Sequence, residues 1–492
     1  MDDFSKKFKS FRWLDHQTGG GLELACPDST GETRMEFELL KRTPVWRALS
    51  ERGKRMFLPQ GIFYWAGRAK REAEINATIG SAGGLLREVD PAAPSDASGV
   101  YYLPVLTNRF GLPSQAVVPY APIAGLPAFR GVWKDWLLEK CPDLDPSLVS
   151  SPVVVPGITG GLYLAGLLFL DPGAPLVCPN KRWGNYDNVF AKNLGARLAS
   201  FPFFTGQRFD ADAFRTACVE ATKGRESVAC VLNFPNNPTG YVPDSADLSA
   251  MLEATRAVVE ETGKPLVVLL DDAYEGFVYD GDRIGRSVFS EFANFHELVV
   301  PVKLDGISKE LLAYGARVGA MTLGLHEKWG APEDRPALLE EWENKVSGLI
   351  RATVSNCNRA MQEAAARVLA EDAGQFREER RRAVELLAKR CRAVNSEFRA
   401  RQARLDAAGA SVDPNAGGFF LFVNLPAEIP AAEFADYLLR EKRVGAIPVV
   451  KDEPGENRVN GIRLAYASVD ESASGELVER FVSALESFPR SA

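Results

Sequence analysis

The chain has 492 residues, 46% hydrophobic and 25% charged, which suits a folded globular protein with more than one core. Its net charge of −7 argues against a general nucleic-acid binder, whose footprint would be basic. Seven scattered cysteines without CxxC spacing fit a reducing compartment rather than a disulfide framework.

The first residues, MDDFSKKFKSFRW, lack the apolar stretch of a secretion signal. The longest apolar run, Leu162 to Leu170, is interrupted by Gly166 and too short to span a bilayer. A cytoplasmic protein with no membrane partner is therefore expected. The three histidines, His16, His296 and His326, stand at no metal-ligand spacing and accompany no GxSxG elbow, so no metal site and no histidine triad is expected. Any catalysis must draw on other groups, which points to a cofactor.

Residues 1–60 are polar and weakly periodic and read as an arm or extension. Residues 61–125 alternate turn signals with short apolar pieces. From 126 to 375, β-rich runs at 175–179, 227–234, 265–272, 297–304 and 316–324 alternate with helical stretches, one of them 247–263. That alternation predicts a mainly parallel sheet sandwiched by helices. A long charged helix follows from Ala373 to Leu405, and 376–492 then reads as a smaller α+β part carrying strands near 417–426 and 461–469. The basic run Arg377 to Arg404 is interleaved with Glu378, Glu379, Glu385 and Glu397. It reads as an exposed linking helix with i to i+4 ion pairs rather than a nucleic-acid patch.

In such a sheet, ligands bind beyond the carboxyl ends of the strands. After 227–234 comes Pro235-Asn236-Asn237-Pro238-Thr239-Gly240, by itself a turn. After 265–272 comes Tyr274, three residues past Asp271, and an isolated Asp there is by itself a helix cap. After 297–304 comes Gly306-Ile307-Ser308-Lys309, with Arg317 eight residues on; alone, that lysine would be solvated. Pro156-Gly157-Ile158-Thr159-Gly160-Gly161 precedes an apolar helix and reads equally as a glycine turn or as an anion-binding helix start.

In this order the motifs resemble the signature of class I aminotransferases, fold-type I enzymes of pyridoxal 5'-phosphate whose archetype is aspartate aminotransferase. The resemblance runs from about residue 75 to 470. It implies a large domain with a mainly parallel central sheet between helices, and a smaller α+β domain built from N- and C-terminal parts. Lys309 would hold the cofactor as a Schiff base and return as the base that moves the α-proton. Asp271 would face the pyridine nitrogen, and Asn237 and Tyr274 the ring's 3-oxygen. Ile158, Thr159, Gly160 and Arg317 would bind the phosphate. Trp183, in Cys178-Pro179-Asn180-Lys181-Arg182-Trp183-Gly184-Asn185-Tyr186, would stack on the ring, though a tryptophan at a strand end is by itself a core residue. Two positions depart from the archetype: Gly306 replaces a hydroxyl residue that touches phosphate, and Tyr186 replaces a histidine behind the acid.

The same resemblance assigns Arg463 to the substrate α-carboxylate; by itself Arg463 reads as a strand arginine in a surface ion pair. Thr78, Asn185 and Phe420 become candidates near the substrate. Tyr120, in Tyr120-Ala121-Pro122-Ile123-Ala124-Gly125-Leu126, would reach the cofactor phosphate of a neighbouring subunit. Arg351 would clamp a distal carboxylate across the same interface, although its segment lacks the archetype's Tyr before Ser355 and the Pro-Pro after it. It could equally cap the helix that starts near 358. The implied function is a ping-pong aminotransferase in a homodimer with shared sites, moving the amino group of aspartate or an aromatic amino acid to 2-oxoglutarate. A β-lyase or decarboxylase on the same fold is the alternative. A cofactor-binding regulator is disfavoured by the acidic charge and by the lack of a helix-turn-helix pattern in 1–60.

Overall fold

The computed structural model describes residues 38–56 and 60–489; the expectations placed on residues 1–37 lie outside the described residues. Seven strands make the main sheet: β1 Val153–Val155, β2 Pro175–Pro179, β3 Arg197–Phe201, β4 Val228–Asn233, β5 Leu266–Asp271, β6 Val299–Gly306 and β7 Gly319–Leu323. Their order is β1-β7-β6-β5-β4-β2-β3. All neighbouring pairs are parallel except those of β7, which runs against β6 and β1.

The central strands β4 and β5 are apolar up to their last residues because both faces are covered. The helices that matter for the site are α1 Gln60–Glu72, α2 Pro127–Lys140, α3 Gly157–Phe169, α4 Ser245–Thr262, α5 Arg335–Thr353, α6 Arg359–Glu371, α7 Ala373–Ala400 and α8 Ser474–Ser487. Side chains alternate between the two faces along each strand. Val228, Cys230, Leu232, Val268 and Leu270 pack with Met251 and Val258 of α4. Ala229, Val231, Val267, Leu269, Val302 and Leu304 pack with Leu162 and Ala165 of α3. Extending that alternation sends Asp271 to the α3 face and Asp272 to the other.

A second, antiparallel sheet contains β8 Ser411–Val412, β9 Leu421–Asn424, β10 Ile447–Lys451 and β11 Val459–Leu464, in the order β8-β9-β11-β10. Its core includes Val394 and Phe398 of α7 and Phe481 of α8. Ile75 and Asn76 pair with Val444 and Gly445, which ties residues from early in the chain to this later layer. The fold is thus α/β, with a mainly parallel seven-stranded sheet between helices and a smaller layer beside it. Among the described residues no helix is long and apolar enough to cross a membrane.

Three sequence expectations shift. The long helix stops at Ala400 and restarts at Gln402, because Arg401 leaves helical geometry while its guanidinium is held by Glu397 and Glu479. Nor is it simply exposed: Ala383, Leu387, Cys391, Val394 and Phe398 form a buried stripe along it, beside the i to i+4 pairs Arg382–Glu378 and Arg381–Glu385. The strand expected from 316 begins at Gly319, since Tyr314–Ala316 is a 3₁₀ turn and Arg317 is left-handed at φ 54. Within the expected arm, 38–41, 44–48 and 51–55 are short helices, and Arg55 Nε donates to Lys192 O at 3.3 Å.

Candidate active site

Register brings the polar strand ends together. Asp271 closes β5 opposite Asn233, the last residue of β4, and Asn233 Nδ2 donates to the Asp271 carbonyl at 2.7 Å. At this edge lies a cavity of about 270 Å³. Of the expected site residues, Ile158, Thr159, Trp183, Asn237, Asp271, Tyr274, Lys309, Arg317, Phe420 and Arg463 line it together. They come from seven separate stretches of chain, which is what an assembled site requires.

Lys309 follows β6 in a short helix, Ile307–Glu310. Its Nζ donates to Gly80 O at 2.8 Å and lies 4.8 Å from the centre of the Tyr314 ring. Burial, then the charges of Arg463 and Arg317, push the amine down to about 8. Asp271 is 3% exposed, and among the described residues no basic side chain pairs with it. Oδ2 accepts the Tyr186 hydroxyl at 2.6 Å and Oδ1 the Ala273 amide at 3.2 Å. Burial raises this carboxyl to about 6 against those two bonds. Burial and the Asp271 charge also push the Tyr274 hydroxyl up, while Arg463 and Asn237 pull against them.

One end of the cavity is built for an anion. The N-terminus of α3 offers the Ile158 and Thr159 amides, and Arg317 lies across from it. Gly157 is left-handed at φ 71, and a Cβ there would sit 2.3 Å from Arg317 Nη2. Only glycine leaves room for that guanidinium. Arg317 Nη1 donates to Ser308 Oγ at 3.4 Å and Tyr314 O at 3.2 Å. Gly306, where the archetype has a hydroxyl, faces Gly319 across the β6–β7 ladder. A Cβ at 306 would lie 2.7 Å from both Gly319 Cα and Val318 O. Ser308, in the lining, is the hydroxyl this chain presents instead.

At the other end Arg463, on β11, is 5% exposed and stacks 4.3 Å over the Phe420 ring. Nη2 donates to Thr78 O at 3.1 Å and Nη1 to Asn237 Oδ1 at 3.5 Å. Its Nε has no partner, and among the described residues no carboxylate pairs with it. The surface ion pair that sequence alone allows is therefore not what the fold makes of it. A buried guanidinium in this condition fits a carboxylate ligand.

Other expected residues stand outside the lining. Gly160 lies one position further into α3. The Thr78 hydroxyl turns to Asn76 Oδ1 at 2.6 Å, so only its carbonyl serves the site. Asn185 accepts from Asn188 at 3.1 Å. Tyr120 is 86% exposed. Arg351, in the last turn of α5, donates to Ser355. Sequence reading missed Asn233, Tyr314, Gly80 and Ile62, all in the lining. Asn233 was discoverable as the polar residue ending an apolar strand, and Tyr314 as the aromatic between Lys309 and Arg317. Ile62 on α1 carried no such signal.

Behind the site, facing away from the cavity, lies a second polar layer. Lys303 Nζ meets Asp272 at 2.5 Å, Glu275 at 2.7 Å and Asp305 at 3.4 Å. Lys140 bridges Glu275 and Glu310 at 2.8 Å each. Burial lifts Asp272 to about 7, while Lys140 and Lys303 outweigh burial and hold Glu275 low. Trp133 Nε1 donates to Asp305 Oδ1 at 2.9 Å, so α2 is fixed to the sheet by the same layer.

The lysine, the buried acid and the anion cradle thus gather at the carboxyl edge of the mainly parallel sheet, and Arg463 faces them from the antiparallel layer, an arrangement of the fold-type I class. The chain belongs to the class I and II aminotransferase family, whose model matches residues 112–481. It is 26% identical to the aspartate aminotransferase of Sulfolobus acidocaldarius over 351 residues, 69% of this chain and 76% of that one. It is likewise 26% identical to a probable aspartate/prephenate aminotransferase of Aquifex aeolicus over 378 residues, 75% and 83%. Among solved structures, an aminotransferase of Anaerococcus prevotii shares the fold at a TM-score of 0.72 and 24% identity, covering 89% of this chain and 98% of that one. The kynurenine aminotransferase of Pyrococcus horikoshii does so at 0.71 and 18%, covering 91% and 99%. The activity is therefore pyridoxal-phosphate-dependent transfer of an amino group between amino and oxo acids. The residues present fit that cofactor: Gly157 leaves the space an anion and Arg317 need, and Asp271 is a buried acid with no basic partner among the described residues.

Proposed function

We propose that Lys309 carries the reaction, with L-aspartate or an aromatic L-amino acid as donor and 2-oxoglutarate as acceptor. The observation behind it is that one cavity joins a lysine amine, a buried acid that no cation pairs with among the described residues, and a buried guanidinium with an unused donor. When bound, pyridoxal phosphate supplies an aldehyde carbon for amines and a ring that withdraws electrons. Ile158, Thr159, Ser308 and Arg317 would hold its phosphate, with Gly160 behind them in the same turn. Trp183 would cover the ring, Asn237 and Tyr274 would donate to its 3-oxygen, and Asp271 would hold a proton on its nitrogen.

Arg463 would orient the substrate α-carboxylate through two parallel hydrogen bonds. Lys309 Nζ, poised near neutrality, would take the proton from the substrate Cα and deliver it across the intervening nitrogen to the carbon that the cofactor's aldehyde supplies. Thr78, through its carbonyl, and Phe420, through its ring, hold the arginine in place for that contact. The substrate end is otherwise apolar, with Ile62 and Phe420 in the lining, which suits an aromatic side chain. A distal carboxylate would need Arg351, and a second cofactor-phosphate contact would need Tyr120, both from another copy of the chain. We therefore propose a homodimer, with Asn185 near the substrate mouth, and a division of the chain at about 126 and 376.

The test is incubation of the loaded protein with aspartate, then with phenylalanine or tyrosine, each with 2-oxoglutarate. Glutamate formed with either donor class, and lost by at least a thousandfold in Lys309→Ala, is the expected result, since that substitution removes the base and nucleophile together. No glutamate from either class rejects the donors proposed, and activity surviving in Lys309→Ala rejects the lysine.

A further inference from the structure

Three residues that line the cavity, Asp271, Tyr274 and Lys309, are each followed in the chain by an acid: Asp272, Glu275 and Glu310. These acids are buried and stand outside the lining, so each segment gives one side chain to the cavity and the next to the polar layer behind it. Helix α2 faces that layer with Trp133, Trp136 and Lys140, spaced i, i+3 and i+7 along one helical face. Trp136 Nε1 donates to Glu310 Oε1 at 2.6 Å. Lys140 Nζ donates to the same oxygen at 2.8 Å and to Glu275 Oε2 at 2.8 Å. One ammonium thus joins the residue after Tyr274 to the residue after Lys309. Lys303 serves elsewhere, joining Glu275 to Asp272 and Asp305 at strand ends that the β5–β6 ladder already holds in register. Arg380 stands further off, 3.9 Å from Glu310, and its Nη2 donates to the Glu275 carbonyl at 3.1 Å.

We propose that Lys140, which touches neither the cavity nor its contents, is a positioning residue that clasps Glu275 to Glu310 and so holds the Lys309 amine in fixed relation to the Tyr274 turn. The inference rests on the reading of Lys309 given above. Neither active-site residue is held by regular structure of any length. Lys309 lies in a helix of four residues, too short to keep its direction unaided, and its amine donates to Gly80 O. Tyr274 lies in the turn that follows β5. Neighbouring Cα atoms are about 3.8 Å apart across a planar peptide, so a fixed Glu275 or Glu310 side chain restrains the backbone of the residue before it. The clasp is also one that fails in a defined way. Without Lys140, two buried carboxylates lose the cation they share, and their repulsion, little screened away from water, drives the two turns apart.

The test compares binding of pyridoxal phosphate and of pyridoxine phosphate to the cofactor-free protein. The two share ring and phosphate, but the second has an alcohol in place of the aldehyde and cannot bond to an amine. Dissociation constants are measured for the unmodified chain, Lys140→Met, Lys140→Arg and Lys309→Ala. The unmodified chain should prefer the aldehyde. Lys140→Met should cut that preference roughly tenfold or more, the scale of a small misplacement of a reacting group, and Lys140→Arg, which keeps the charge, should restore most of it. A purely stabilising role would weaken both ligands alike and leave the ratio unchanged, which overturns the proposal. Should Lys140→Met not fold, Glu310→Gln, which keeps the shape and loses the charge, is read in its place: a lowered ratio supports the clasp and an unchanged one rejects it. If Lys309→Ala keeps the preference, the reading of Lys309 fails, and the proposal with it. If Lys309→Ala loses it while Lys140→Met keeps it, only the role of Lys140 fails.

Discussion

At pH 7 an ordinary lysine is a free amine in on the order of one molecule in three thousand. With its value pushed down to about 8, Lys309 is free in about one in ten. The sign matters: a lowered lysine pKa makes the nucleophile available at lower pH. The rate at which the cofactor-free protein captures pyridoxal phosphate should therefore rise with pH to a midpoint near 8. Because Arg463 is the second cause of the shift after burial, Arg463→Gln should move that midpoint upward, read by stopped-flow absorbance across pH. A midpoint unmoved by the substitution would show that the two charges do not communicate. Taken alone, Lys309, Asp271 and Arg463 read as a solvated lysine, a helix cap and a surface strand arginine. It was the order of the motifs, and the family it resembles, that singled them out, and the fold brings all three to one cavity. Thr78 and Asn185 were named on position along the chain, and side-chain direction at those places depends on neighbours such as Asn76 and Asn188 that position does not reveal.

The elements were legible wherever a strand's two faces were equally apolar, as in β4 and β5, whose observed ends fall within one residue of those expected. They were less so where backbone contacts decide the boundary. β6 runs on to Gly306 because that glycine can pair face to face with Gly319, and β7 starts late because Arg317 takes a left-handed turn to reach the anion cradle. The charged layer of Asp272, Lys303 and Asp305 escaped notice for a related reason. Single charges inside apolar strands read as strand ends unless their partners are known. The pairing of Gly306 with Gly319 gives a sharp expectation. Restoring the archetype's hydroxyl by Gly306→Ser should not improve phosphate binding but should push β6 and β7 apart. The cost should be about 1–3 kcal/mol, typical of overpacking, read as a lowered urea midpoint with an unchanged slope. A variant as stable as the parent, with tighter cofactor binding, would mean the two strands can shift at no cost.

Across the whole molecule, the sequence conveyed the mainly parallel sheet and the smaller layer beside it, because alternating strand and helix patterns persist over hundreds of residues. Strand and helix patterns say nothing of whether one chain's surface would complete another's site; that expectation came from the family resemblance alone. Tyr120 is almost fully exposed, yet its carbonyl accepts from Arg359 Nη1 at 3.1 Å, at the start of α6 and eight residues after Arg351. The Tyr120 segment is thus tied to the start of α6, and neither Tyr120 nor Arg351 is in this chain's own Lys309 lining. If these residues serve the site of a second copy, defects should complement between chains. Lys309→Ala destroys a site through its own lysine, whereas Arg351→Ala would damage the site of its neighbour. Each variant alone should turn over aspartate poorly. Mixed and allowed to exchange subunits, half of the dimers become hybrids, and each hybrid carries one site with both Lys309 and Arg351 intact. Two-fold symmetry then sets the regained aspartate activity at about a quarter of the parent's, while activity toward an aromatic donor, which needs no distal clamp, should be lowered little by Arg351→Ala. Mixtures that regain nothing beyond the average of the two variants would place Arg351 and Lys309 in separate business, and the shared site would have to be abandoned.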